Sequence, residues 1–287
     1  MTNQSIAVEK LGAHVGAEIS GIDLARPLGN ETFREVHDAL MHHGVIFFRD
    51  QDITPAQHIE FGRKFGELNL HPFAPSLPGH KEILVIRNDK DHPPNINVWH
   101  TDVTFMERPA MGSILKAERL PDNGGDTMWA SMYAAFEALS DKMQRFLTDL
   151  VAYHDFEHVF FSDRSKMEPL EKAQAVKKAR AEWPLMEHPV VRTHPVTGRQ
   201  ALFVNSSFTL RIKDMKELES RALLQFLYAH VTTPEFQCRF RWRENSIAFW
   251  DNRCTQHYAL ADYWPQERCM HRVTVEGDRP FYRASVK

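Results

Sequence analysis

Apolar positions along the chain switch between two spacings. In "ETFREVHDALMHH", Phe33, Val36 and Leu40 fall on one helical stripe, with Asn30 as the expected N-cap. Gly44 then opens "VIFFR", a short apolar run suited to a buried strand. Thr54-Pro55-Ala56-Gln57 combines a capping box with proline at the first helical position, so a helix should begin there and run through "AQHIEFGRKFGEL". "EILVIRN", "VWHTDVTF", "GSILKAERL" and "GDTMWAS" read as strands, and "SMYAAFEALS" and "DKMQRFLTDLV" as helices.

"VAYHDFEHVFF" reads as strand running into loop, and residues 162–187 are charged and weakly helical, which predicts a mobile excursion outside the core. "PVVRTHPVTGRQALFV" predicts a hairpin turning at Pro195-Val196-Thr197-Gly198. After the helix "KELESRALLQFLYAHV" come three late strands, "FQCRFRW", "SIAFWDN" and "CMHRVTVEGD". Many short strands, few helices and no regular βαβ alternation predict a mainly β protein, an antiparallel sandwich with flanking helices. There is no GxGxxG or GKS/T loop, which weighs against dinucleotide and P-loop chemistry.

Composition narrows the partners. A net charge of −3 over 287 residues gives no basic footprint for nucleic acid or a membrane surface, and no apolar run is long enough to span a bilayer. The opening residues are too polar for an export signal. Three cysteines without CxxC spacing argue against a disulfide scaffold or zinc ribbon and make a reducing cytoplasm the expected location.

The candidate chemistry lies in "NVWHTDVTF". In an extended strand, residues two apart share a face, so His100 and Asp102 would present an imidazole beside a carboxylate. One further imidazole would complete the facial triad of two histidines and one carboxylate that leaves an Fe(II) ion three open positions. His257 follows the strand "SIAFWDN" and is placed to return to an earlier strand. Taken alone, His-x-Asp also describes a surface dipeptide, and His257 a loop histidine. Arg268 and Arg272 lie four apart in a strand, on one face; if that face is internal, both need anions.

The ordered set "WHTDVTF", "GGDT", "WDNRCTQHYA" and "RCMHR" resembles the Fe(II)/2-oxoglutarate-dependent dioxygenases of the taurine dioxygenase type, the TauD/TfdA family. "GAEISGIDLARPL", "ITPAQHIEFGRKFGELNLHP" and "HPVVRTHPVTGRQALFVN" extend the similarity over nearly the whole chain. The resemblance implies a single domain over residues 1–287 with a double-stranded β-helix (jelly-roll) core, and Fe(II), 2-oxoglutarate and O2 as cofactor and co-substrates. It implies His100, Asp102 and His257 as iron ligands, and Thr127 and Arg268 as holders of the distal 2-oxoglutarate carboxylate. Arg272, helped by His71, would meet an anionic substrate, with Val103, Phe160 and Phe208 as pocket walls. Gly124 and Gly125 would serve a turn before Thr127, residues 162–187 would form a lid, and a homodimer or tetramer is the expected assembly.

The chain departs from the taurine-selective pattern. Ala74 stands where those members carry tyrosine, Ile96 where they carry asparagine, Asn95 for aspartate and Val159 for serine. The anion-binding pair is kept while the amine-facing end becomes smaller and more apolar, and a buried ammonium without acceptors is penalised. The expected substrate is therefore a small organic anion with an apolar body: a sulfonate, a sulfate ester or a carboxylate. Taurine dioxygenase proper, a zinc-dependent hydrolase and a non-enzymatic anion-binding module are the alternatives.

Overall fold

The computed structural model describes residues 6–70, 75–162 and 167–284. In chain order the strands are β1 (Ala7–Lys10), β2 (Ala17–Ser20), β3 (Val45–Phe48), β4 (Ser76–Leu77), β5 (His80–Asn88), β6 (Gly112–Arg119), β7 (Thr127–Ser131) and β8 (Val151–His154). They continue as β9 (Met186–Pro189), β10 (Val191–Thr193), β11 (Gln200–Leu202), β12 (Thr209–Ile212), β13 (Gln237–Phe240), β14 (Ile247–Asp251), β15 (Thr255–Ala259) and β16 (Arg268–Val275). The helices are α1 (Asn30–His43), α2 (Pro55–Arg63), α3 (Met132–Glu137), α4 (Asp141–Thr148), α5 (Glu157–Phe160), α6 (Pro169–Glu182) and α7 (Glu217–Val231).

Eight strands form the main sheet in the order β1-β2-β3-β14-β6-β16-β5-β4, antiparallel except where β2 meets β3. The two faces follow from strand alternation. Ile46, Phe48, Ile114 and Phe249 point outward and pack under Val36 and Leu40 of α1 and Phe61 of α2. Phe47, Leu115, Ala248, Trp250 and Met270 point inward, against Trp129 of β7 and Phe240 of β13. The sheet β13-β7-β15 thus forms a second layer over the inner face, as the sandwich reading requires. Phe47 stacks on Phe240 at 4.0 Å and meets Trp129 edge-on at 5.2 Å, which pins the layers together.

Local signals hold at both early helices. Gln57 N donates to Thr54 Oγ1 and Thr54 N to Gln57 Oε1, the reciprocal capping box, with Pro55 at the first position. Gly29, not Asn30, is the residue before the first turn of α1, and Asn30 is already helical. The 195–198 hairpin joins β10 to β11.

Two expectations need correction. Residues 97–105 are not a strand: His100 makes one isolated bridge to His257, and Asp102 to Phe105 form a turn in which Val103 takes a left-handed φ of 46°. The segment 162–187, of which 163–166 lie outside the described residues, is no loose excursion where it is described. It carries the 14-residue α6, anchored by Arg180 to Asp155 and Glu157, with Ala179 buried and Trp183 edge-on to Phe105 at 6.5 Å. Alanine, lysine and glutamate favour helix there.

Two stability tests follow. Phe47→Ala should cost about 3–5 kcal/mol in urea denaturation; a loss under ~1 kcal/mol would show that the layers are not packed across this ring. On the outer face, hydrogen bonds to Cys269 and Glu118 push His271 up to about 9. A raised folded value means that this contribution is complete below the ordinary value of 6.5 and is lost as pH rises through about 9. Melting temperature should therefore decline more over that window in the native protein than in His271→Gln.

Candidate active site

The site forms where the segment carrying His100 meets β15, the edge strand of the second layer. His100 N donates to His257 O at 3.1 Å and His257 N to His100 O at 2.8 Å, so the two residues lie directly opposite each other. His257 also faces Trp129 across the β15–β7 ladder, two positions from Thr127, so His257 and Thr127 share the inward face. Trp250 packs against the His257 ring at 4.8 Å. The left-handed Val103 turns the chain so that Asp102 points at both imidazoles while Val103 itself is buried among aromatics. A β-branched residue in that conformation costs about 1–3 kcal/mol, and here the surrounding packing holds it.

His100 Nε2 lies 3.8 Å and His257 Nε2 3.9 Å from Asp102 Oδ1, all three side chains being buried. Those distances are too long for hydrogen bonds. Burial holds both imidazoles below their ordinary value, hence neutral, with lone pairs available. His100 Nδ1 meets Val98 O at 2.9 Å, which puts its proton on Nδ1 and leaves Nε2 open. His257 Nδ1 is buried without a hydrogen-bond partner among the described residues. Burial opposes ionisation of Asp102, but the Arg272 guanidinium, with the Ser113 hydrogen bond, outweighs it and holds the carboxyl well below the usual range. Two neutral imidazoles and one carboxylate, with no thiolate, form a donor set that could hold Fe(II).

Arg268 is 4% exposed, and no carboxylate lies within ion-pair distance of it among the described residues. Its Nε donates to Gly125 O at 3.1 Å and its Nη2 approaches Thr127 Oγ1 at 3.5 Å. Trp242 Nε1 also donates to Thr127 Oγ1, at 3.0 Å. Asp126, next in sequence, is tied to Arg239 instead. A buried guanidinium without a counter-ion calls for an anion from outside the chain. Gly124 and Gly125 do form the expected turn, with φ of 76° and 72°; a Cβ on Gly125 would press on the Arg268 side chain at 3.2 Å.

Arg272 does reach the interior, but there its Nη1 donates to Asp102 Oδ1 at 2.8 Å, and its Nε is buried and unpaired among the described residues. It lines a cleft of about 180 Å³ together with Asn69, Ser76, Lys81, Glu82 and Thr274. Val103, Phe105, Phe156 and Phe208 form an apolar wall, with Val159 and Phe160 packed against it. Phe105 lies 5.4 Å from Phe208 and 5.8 Å from Phe160. Asn95 and Ile96, expected to face substrate, are exposed in a loop, Ile96 at 43%. His71 and Ala74 lie outside the described residues.

Residue patterns alone did not single out Ser113 and Trp242, which the structure places beside the site. Ser113 Oγ donates to Asp102 Oδ2 at 2.8 Å. A polar residue on the inward face of a buried strand was the available signal. A second buried group, His194, Asp251 and Cys254, is not a metal centre of the same kind. His194 Nδ1 accepts from Val196 N and Thr197 N, so its Nε2 carries the proton it gives to Asp251. Arg253 makes two bonds to the same carboxylate.

Comparison with known proteins agrees with this geometry. Residues 7–274 match the family described as "Taurine catabolism dioxygenase TauD, TfdA family". The chain belongs to this family. It is 37% identical over 277 residues to the "Alkylsulfatase" of Acinetobacter baylyi, covering 96% of this chain and 86% of that one. It is also 37% identical over 274 residues to the "Alpha-ketoglutarate-dependent sulfate ester dioxygenase" of Pseudomonas putida, covering 95% and 90%. A solved "Taurine Dioxygenase from Burkholderia xenovorans" superposes with a TM-score of 0.81 at 37% identity, covering 96% and 92%. The fold is therefore the jelly-roll core with flanking helices that the sequence led us to expect, and the protein is an Fe(II)- and 2-oxoglutarate-dependent dioxygenase. No helix among the described residues is long and apolar enough to cross a membrane.

Burial opposes ionisation of Asp251, and the Arg253 and His194 contacts overcome it, holding the carboxyl well below the usual range. Its contribution to stability is thus intact above the ordinary carboxylate value and lost on acidification through the depressed one. Asp251→Asn at neutral pH should cost about 3–5 kcal/mol, read from denaturant midpoints, because Arg253 is left buried without its charge partner.

Proposed function

We propose that this family member oxidises alkyl sulfate esters, with His100 Nε2, His257 Nε2 and Asp102 Oδ1 holding Fe(II). The observation that carries the 2-oxoglutarate site is Arg268, a buried cation lacking a carboxylate among the described residues and touching Thr127. Together they offer a charge-assisted fork and a hydroxyl to a carboxylate. An Fe(II) ion held by these three side chains would supply O2 activation, with 2-oxoglutarate as the reductant, decarboxylated to succinate and CO2, and one oxygen atom going to a substrate C–H bond.

The chain's own groups then determine what reacts. Arg272, in the lining of the cleft, supplies the positive end for the substrate anion. Val103, Phe105, Phe160 and Phe208 give the substrate body an apolar wall and exclude water from the reacting carbon. Helix α6 closes that wall from outside through Trp183 and is the candidate lid. Hydroxylation of the carbon bearing a sulfate ester gives an unstable adduct that releases sulfate and leaves an aldehyde. Two relatives named for sulfate ester chemistry, each 37% identical, support this choice among organic anions. The apolar wall supports it over taurine, whose ammonium would need acceptors.

The test is anaerobic loading with Fe(II) and 2-oxoglutarate, then oxygen and a panel of organic anions. A medium-chain alkyl sulfate should yield succinate, aldehyde and inorganic sulfate in equal amounts, with none under nitrogen. His257→Ala should form no succinate. Arg268→Gln should raise the 2-oxoglutarate requirement about 10- to 100-fold, as expected for losing a charge-assisted hydrogen bond. Faster turnover of taurine than of any apolar anion would overturn the substrate assignment.

A further inference from the structure

Asp102 is aimed by two residues outside the trio. Ser113, buried on the inner face of β6, donates its hydroxyl to Asp102 Oδ2 at 2.8 Å. Asn252, in the turn between β14 and β15, donates Nδ2 to Ser113 Oγ at 3.2 Å. Its Oδ1 accepts the Trp250 indole N–H at 3.0 Å and the Asp102 backbone N–H at 3.3 Å. Two donors on Oδ1 fix the amide orientation, so Nδ2 must face Ser113. A hydroxyl has a single hydrogen; with Asn252 donating to it, the Ser113 proton is committed to Asp102. All of these residues are buried, so little water competes with the chain of bonds.

Resting on the reading of the trio as an iron site, we propose that Ser113 and Asn252 are positioning residues that keep Asp102 a one-oxygen ligand. Both oxygens accept a hydrogen bond, Oδ2 from Ser113 and Oδ1 from Arg272 Nη1, but only Oδ1 is turned toward the two imidazoles, and the Ser113 bond holds Oδ2 away from them. A carboxylate left free can bind an ion through both oxygens. That would take one of the three positions a facial triad must keep open for 2-oxoglutarate and oxygen. Asn252 adds a second constraint, because it ties the Asp102 turn to the turn that leads into the strand carrying His257.

The experiment titrates the full chain with Mn(II) by calorimetry and records the visible absorption of the Co(II)-loaded protein, with the melting temperature of the metal-free form as the measure of folding. Ser113→Ala and Asn252→Asp should each weaken Mn(II) binding about 10- to 100-fold. Asn252→Asp keeps an acceptor toward Trp250 but draws the Ser113 proton away from Asp102. Both should weaken the Co(II) d–d bands as the carboxylate gains a second contact, a change that lost packing alone would not produce. Ser113→Thr retains the hydroxyl and should restore wild-type affinity and spectrum, so it and Asn252→Asp decide the matter if Ser113→Ala folds poorly. Wild-type affinity and spectrum in Ser113→Ala and Asn252→Asp, with His257→Ala unable to bind, would overturn the positioning role and leave the iron site standing. Undiminished binding by His257→Ala would instead overturn the site on which the proposal rests.

Discussion

The site depends on one pair of backbone hydrogen bonds, exchanged between His100 and His257. They stitch a turn from the first half of the chain to the edge of β15, far along the sequence. Without them His257 would stay on β15 while His100 would lie in a separate turn. With them the rings lie 4.1 Å apart, and the side chain of Asp102 reaches both from two residues further on. The pair is short-ranged and polar, so it needs a dry, rigid backing. Trp250 and Trp129, pinned by the inter-sheet aromatic contacts, provide it.

That backing also explains how charge is distributed. Several ions are drawn into a low-dielectric end of the sandwich, where an unpaired charge is expensive. Asp251 is matched inside the chain by Arg253 and His194, and this group serves structure. Asp102 is met by Arg272, while Arg268 has, among the described residues, only neutral oxygens as hydrogen-bond partners. A chain that neutralises one buried carboxylate so fully, yet leaves a buried guanidinium to neutral oxygens, points that guanidinium at a ligand. The difference between a structural ion group and a functional one is thus visible in the partners, not in the burial.

Much of the fold was legible because it rests on short-range signals. The capping box at Thr54, the stripe of α1, the 195–198 hairpin and the Gly124-Gly125 turn each follow from local sterics or hydrogen bonding. The trio was legible through the order of the motifs, although the reasoning from strand alternation was not sound for His100 and Asp102. Their neighbours Val98, Val103 and Phe105 carry strand propensity, yet tertiary contacts turn the chain at Asp102. Helix α6 was misjudged for the opposite reason: its sequence is mostly surface-facing, and only Ala179, Arg180 and Trp183 reveal the docking. Ser113 offered only a weak signal because its role arises from strand register, and Trp242 offered none because it reaches Thr127 from the loop after β13.

The same geometry sets which kinds of discrimination this protein can achieve. An apolar wall separates substrates that differ by one methylene by only about 1–3 kcal/mol, and it rejects an added polar group weakly unless that group must be buried unpaired. Buried charge is different, because an unmatched ammonium forfeits its hydration outright. The described wall of Val103, Phe105, Phe156 and Phe208 carries no acceptor side chain, and Asp155 beside it is already committed to Arg180. On the proposed reading of Arg272 and this wall, selection is tolerant of chain length and branching and strict about charge.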